Sequence, residues 1–203
     1  MSYKENNTES EILQMHWSAC LDGDTNALKK LHDSLFHGLV LYAQKLLQDE
    51  DLADDAVQNL FIKLWEKRQS IGQIKMVKSY CYTALRRQIL NQLRDLKLRK
   101  FKITFSKETD IEFSHEEIII KKESDSHKKQ QILDLLNQLP KRQKELIYLH
   151  YFEGLEYNQI AEIMQVNYQS VLNLKQKAIA KMKSFAASAV SIILFILIKK
   201  ISK

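Results

Sequence analysis

Apolar residues recur at three- and four-residue spacing along most of this chain. That is the period of amphipathic helices, not the alternation of half-buried strands. Ala53, Ala56, Val57, Leu60, Phe61 and Leu64 share one side of a predicted helix, and Asp54, Asp55, Gln58, Asn59 and Glu66 fall largely on the other. Asp49, Glu50 and Asp51 give that helix the acidic first turn its dipole favours. Gly72 breaks the pattern, and a second helix is predicted from Lys78 to Lys100. Its core side carries Cys81, Tyr82, Leu85, Ile89, Leu93 and Leu96. The opposite side is read as cationic, with Arg86, Arg87, Arg94 and Lys97, joined by Asn91. Periodicity then lapses over 101–131. Lys107–Asp110 and Lys121–Lys129 are polar and charged, which reads as a linker. The apolar run Ile118–Ile120 inside it is too isolated to build a strand on.

Helical spacing resumes near Gln130 with Ile132, Leu133, Leu135, Leu136 and Leu139. Pro140 is predicted to open a helix over Lys141–Tyr151, since proline suits the first helical position. Gly154 ends it. Tyr157–Met164 reads as a short helix, and 165–167 as a tight connection. A longer helix begins near Tyr168, capped by Asn167.

Composition supports this reading. Four glycines and one proline in 203 residues are too few for sandwiches, barrels or propellers, which need turn residues every 8–12 positions or so. An all-α chain of two helical domains is expected. The first covers about 10–100, a linker 101–129, the second 130–183, and an apolar tail 184–203. Cys20 and Cys81 fit no metal or redox spacing and read as free thiols in a reducing compartment.

The net charge of +6 conceals a strong segregation. Residues 1–62 carry −7, 63–107 carry +11, 108–127 carry −5 and 128–203 carry +7. Two basic surfaces, each preceded by an acidic segment, favour phosphate backbones or anionic membranes. Two solvated helix faces would give the same totals.

The stretch from Tyr157 has the form of a helix-turn-helix. Ile160, Ala161 and Ile163 would pack the first helix, Val166 the turn, and Val171, Leu174, Ala178 and Met182 one face of the second. The other face carries Gln169, Ser170, Asn173, Gln176 and Lys177. Gln and Asn can read adenine edges bidentately in a major groove while Lys holds phosphates. An ordinary helical hairpin with a wet face is the plainer alternative. In the 78–100 helix, Tyr80 beside arginines suits stacking on unpaired bases. Tyr82 falls on the core side.

Three stretches carry a specific resemblance: Asp51–Trp65, Ser79–Arg94, and Leu136–Glu145 followed by Tyr151–Ala161. In that order they resemble region 2, the promoter-melting helix and region 4 of sigma-70 family factors of the extracytoplasmic-function group. The resemblance covers roughly 20–183. It implies a transcription initiation factor that binds core RNA polymerase, recognises −10 and −35 promoter elements and promotes DNA opening. It would place Asp54, Asp55, Gln58 and Phe61 against the β′ clamp helices, with region 4 near the β flap. Tyr80, Arg86, Arg87, Asn91, Arg94 and Lys97 would meet the −10 element. Tyr168, Gln169, Ser170, Asn173, Gln176 and Lys177 would meet the −35 element. It also implies an anti-sigma partner and a cytoplasmic location. The chain departs from the family pattern at Leu85, Arg86, Arg87 and Asn91, at Gln165 where glycine is common in the turn, and at Leu172 and Leu174.

No enzyme is expected, and no cofactor or metal. The six histidines form no HExxH or local triad, and there is no glycine-rich phosphate loop. Ala186–Ile198 is uncharged and precedes Lys199 and Lys200. As a helix it would span about 20 Å, short of a bilayer core. Protein contact is the favoured reading of this tail, with weak membrane contact as the alternative. The rival functions are a membrane-associated helical interaction protein and a conventional helix-turn-helix regulator.

Overall fold

The computed structural model describes residues 2–99, 111–114 and 126–185. Its regular elements there are all helices. In order they are α1 (Ser2–Leu21), α2 (Thr25–Leu47), α3 (Glu50–Ile71), α4 (Val77–Arg99), α5 (Ser126–Asn137), α6 (Lys141–Tyr151), α7 (Tyr157–Met164) and α8 (Tyr168–Phe185). The tail 186–203 and the run 118–120 lie outside the described residues.

The helix ends follow from local chemistry. Asp24 and Asp49 open α2 and α3 by accepting from the backbone N–H of Asn26 and Leu52, at 2.8 and 3.0 Å. Gly72 closes α3 with φ +67°, a conformation that costs glycine little. Asn167 caps α8, its Oδ1 accepting from Ser170 N at 2.7 Å. Pro140 sits one residue before the first helical position of α6, and its carbonyl accepts from Gln143 N at 2.8 Å. The helix before it starts at Ser126, a turn earlier than the apolar spacing indicates.

Helices α1–α4 form a bundle around α2, whose Leu31, Leu35, Leu39 and Tyr42 are all buried. Trp17 ties α1 to the end of α3: it is 1% exposed, and its Nε1–H donates to the Gly72 carbonyl at 2.8 Å. Helices α5–α8 make the second unit, in which α6 and α7 pack on α8. Lys181 of α8 reaches the Gln138 carbonyl beyond α5 at 2.7 Å.

The two units are packed together rather than held apart. Helix α7 lies on α4, and one apolar core runs continuously from Leu13 of α1 to Met182 of α8. Part of the expected linker enters this core. Ile111 and Phe113 are buried while Glu112 and Ser114 face out, the two-residue alternation of an extended strap. Asn137 brackets the Phe113 peptide, accepting from its N–H at 2.8 Å and donating to its carbonyl at 3.0 Å. Lys45 of α2 donates to the Glu112 carbonyl at 2.6 Å. The sequence signals charge here but not which two residues turn inward.

Cys20 and Cys81 are buried and unpaired. Burial pushes their thiols up to about 11 and about 12, so both are protonated and unreactive near neutral pH.

Candidate polymerase and nucleic-acid surfaces

The outer face of α3 is acidic. Asp54, Asp55 and Gln58 are exposed, and so are the apolar Leu52 and Ile62. Phe61 does not lie on this face, where the family resemblance would set it, but on the core side that its spacing predicts. It is 6% exposed, with its ring 4.9 Å from His32. It lies one turn from both Val57 and Leu64, so it belongs to the core side. Ile62, which the sequence reading passed over, is the large side chain presented outward, at 54% exposure.

An open groove of about 900 Å³ runs between α3 and α4. Lys63 and Lys67 line one wall, and Tyr80, Arg87 and Asn91 the other. The walls are pinned together. Lys63 donates to Gln88 Oε1 at 2.9 Å, and Gln88 donates to the Ala56 carbonyl at 2.9 Å. Tyr80 is half-buried, and burial holds its hydroxyl in the protonated form. It lines the groove, where an aromatic ring can stack on a flat ligand. Arg94 is exposed on the same helix. The Lys97 side chain lies outside the described residues.

Arg86 is the correction on this helix. It is 9% exposed and does not lie on the cationic face. At 100° per residue it stands only about 40° from Tyr82, one turn earlier, on the flank of the core face. Its Nε donates to Glu145 Oε1 of α6 at 2.7 Å, and its second guanidinium nitrogen to Oε2 at 3.3 Å. Tyr42 of α2 donates to the same Oε1 at 2.7 Å. Nothing in local spacing marks this partnership, since Glu145 lies 59 residues from Arg86 and 103 from Tyr42.

In α8, Val171, Ala178 and Met182 are buried and Leu174 is half-buried. Tyr168, Gln169, Asn173, Gln176 and Lys177 are exposed, and Ser170 is half-buried. Gln169 Nε2 donates to Asn173 Oδ1 at 3.2 Å, joining two amides on successive turns of one surface. The turn before α8 forms with Gln165 in the left-handed region, φ +55°, so glycine is not required there. Behind the turn, His150 is fixed as one tautomer. Its Nδ1–H donates to the Leu155 carbonyl at 2.8 Å, and its Nε2 accepts from the Tyr157 hydroxyl at 3.0 Å. The two rings stack at 4.3 Å, and Lys175 lies 4.7 Å from the Tyr157 ring centre. Burial lowers the His150 pKa.

Two family models match this chain in order, Sigma-70 region 2 over residues 34–99 and Sigma-70, region 4 over 129–182. Together they cover more than half of it. The chain belongs to the sigma-70 family. Regions 2 and 4 are the two parts that its motifs resemble in the extracytoplasmic-function group. The chain is 29% identical over 137 residues to RNA polymerase sigma factor SigV of Bacillus subtilis, spanning 68% of this chain and 77% of that one. Among solved structures, it is similar to CnrH in complex with the cytosolic domain of CnrY, with TM-score 0.57 and 16% identity over 88% of this chain and 99% of that one. It is also similar to the sigma factor RpoE in complex with the anti-sigma factor NepR from Bartonella quintana, with TM-score 0.58 and 20% identity over 79% and 97%. Sigma-70 factors bind core RNA polymerase and promoter DNA to start transcription, and this chain is one of them.

Region 2 of this sigma factor thus holds α3, α4 and their groove, and region 4 holds the helix-turn-helix. Among the described residues, no helix is long and apolar enough to cross a membrane, and no group of three or more metal-binding side chains occurs.

Proposed function

We propose how this sigma factor divides its work among its surfaces. Asp54, Asp55 and Gln58 seat region 2 on the β′ clamp helices, with Leu52 and Ile62 as the apolar contacts that Phe61 does not supply. The groove of Tyr80, Arg87 and Asn91, extended by Arg94 and Lys97, takes the opened −10 strand. Cations there hold phosphates and the tyrosine stacks on a base. Helix α8 enters the major groove of the −35 element, where Gln169 and Asn173 face base edges and Lys177 a phosphate. Tyr168, Ser170 and Gln176 flank them, and region 4 rests on the β flap. The protein makes and breaks no covalent bonds in this scheme. It works beside polymerase in the cytoplasm.

The observation that carries the reading is the exposed polar face of α8 on an apolar, capped helix inside a region 4 match. A conventional regulator would bind its duplex alone. The scheme above predicts weak DNA affinity until core polymerase is present. Run-off transcription with purified cognate core enzyme tests it, and promoter-dependent stimulation is expected. No stimulation on any promoter that responds to this chain in cells would reject it.

Two further partners fit. The likeness to CnrH with CnrY and to RpoE with an anti-sigma factor supports an anti-sigma protein for this chain. The apolar tail suits a second contact, with a protein surface or weakly with a membrane. Vesicle flotation with and without residues 186–203 separates these: equal recovery in the soluble fraction excludes lipid.

The packed form cannot read a promoter. Elements centred at −35 and −10 lie about 25 base pairs apart, or about 85 Å along B-DNA. A compact body of this length has a radius of gyration of about 17 Å. Regions 2 and 4 must separate to reach both.

A further inference from the structure

The groove between α3 and α4 is cationic on both walls, yet only the α4 wall carries residues assigned above to the −10 strand. On α3 stand Lys63 and Lys67, both exposed and one turn apart. Of the described lining residues three are cations, Lys63, Lys67 and Arg87, and Asp95 is the single acid. The groove therefore attracts an anion from both sides. Packed helices have axes about 8–10 Å apart, so the cleft between these two admits a single strand and excludes a duplex.

Lys63 is fixed in place. Its ammonium donates to Gln88 Oε1 at 2.9 Å, and Gln88 Nε2 donates to the Ala56 carbonyl at 2.9 Å. Both ends of this amide are committed, since an ammonium only donates and a carbonyl only accepts. A half-buried side chain thus holds an exposed one. The holder is also neutral. A carboxylate at this place would hold Lys63 as well but would cancel its charge. The amide leaves that charge, and two of the three ammonium N–H groups, for a ligand.

We infer that α3 is itself a DNA-contacting helix: Lys63 and Lys67 hold phosphates of the opened −10 strand from the wall opposite Arg87, and Gln88 is the positioning residue that keeps Lys63 aimed at them. This rests on the reading of the groove as the −10 strand site.

The same helix faces polymerase, and the two duties do not collide. At 100° per residue Lys63 stands about 140° from Gln58 and about 100° from Ile62. The acidic and apolar stripe can lie on the clamp while the lysines stay open to the groove. Lys63 and Lys67 are about 6 Å apart along the helix axis, which lets each take its own phosphate. Tyr80 and Asn91 on the facing wall are left for the bases.

Holoenzyme assembled from the full chain and cognate core polymerase tests this. The probe is a promoter that responds to the chain in cells, with its −10 element pre-opened as a mismatched bubble. Fluorescence anisotropy at several salt concentrations gives affinity and salt slope for the wild type, Lys63→Met, Lys67→Met, Gln88→Met and Arg87→Met. Titration of labelled core gives the affinity of each for polymerase. Each lysine variant should bind the bubble several-fold more weakly and lose about 0.7 from the slope, the share of one phosphate on a single strand. Gln88→Met should weaken binding as well, and that loss should vanish in a Lys63→Met background. A Gln88 loss that persists without Lys63 would make the amide a structural pin and overturn its positioning role. Unchanged slopes in both lysine variants, or weaker core binding as their only defect, overturn the contact by α3. Arg87→Met separates the two levels. If it lowers the slope and the lysine variants do not, the −10 groove stands on α4 alone; if it too is silent, the reading of the groove falls as well.

Discussion

Protonating His150 should loosen the helix-turn-helix, and the cost can be worked from its contacts. The neutral ring donates from Nδ1 and accepts at Nε2. A proton on Nε2 turns that acceptor into a donor facing a hydroxyl, so the Tyr157 bond must rearrange. A neutral hydrogen bond contributes about 1 kcal/mol net. Placing the cation in a half-buried site adds a similar amount at most, because solvent screens part of it and Glu156 offsets Lys175. The expected loss is about 1–2 kcal/mol, or roughly 2–8 °C in Tm for a chain of this size. The sign follows from linkage. The folded pKa is depressed below the ordinary 6.5, so the unfolded chain takes up the proton first. Stability from His150 is therefore full above pH 6.5 and is lost as pH falls through the folded value. Urea unfolding at pH 7.5, 6.5 and 5.5 measures it, compared with His150→Asn, which keeps a donor toward Leu155 but has no titrating ring. The other histidines are common to both proteins, so the difference isolates this one. Equal loss between pH 7.5 and 5.5 in the two proteins would refute the reasoning.

Three further outcomes are expected. Gln165→Gly should stabilise region 4 by about 0.5–1 kcal/mol, since glycine relieves a left-handed residue at some entropic cost; a lower urea midpoint would show that the side chain matters. Trp17→Phe should cost about 2–3 kcal/mol, leaving the Gly72 carbonyl unpaired and a void behind the smaller ring, and thermal melting reads it. In the polymerase complex, Asn173→Ala should change the ranking of −35 variants. Lys177→Ala should instead weaken them evenly and reduce the salt slope by about 1. Competition binding at several salt concentrations distinguishes the two behaviours, and an unchanged ranking for Asn173→Ala would remove its base-reading role.

The parts of the fold governed by local rules were legible in the sequence. Pro140, Gly154 and Asn167 punctuate α6–α8 because each acts on its immediate neighbours. The exposed face of α8 followed from helical spacing alone. Arg86 was misplaced because it stands near the border of an apolar stripe, where a wheel angle cannot tell flank from face until the packing partner is known. That partner is Glu145, which reads as one more charge in a polar run from Lys141. Phe61 fell on the core side by its spacing, and only the family resemblance turned it outward. Ile111 and Phe113 lack enough neighbours to show a period. The one local hint of the packing between the regions was Gly38, a glycine inside a helix with no turn to make, where a methyl group would crowd Tyr82 and Glu153.

The packing of the two regions sets an order of events during synthesis. Tyr42 and Glu145 are separated by 103 residues, which take about 5–20 s to translate. Helices α1–α4 can close their own bundle in far less time, since their contacts are nearer in sequence. Each new molecule therefore spends its first seconds as region 2 alone, with Tyr42, Tyr82 and Arg86 uncovered. In that interval a nascent chain presents the socket that its own second half will later fill, and any early competitor for that socket meets it on the ribosome.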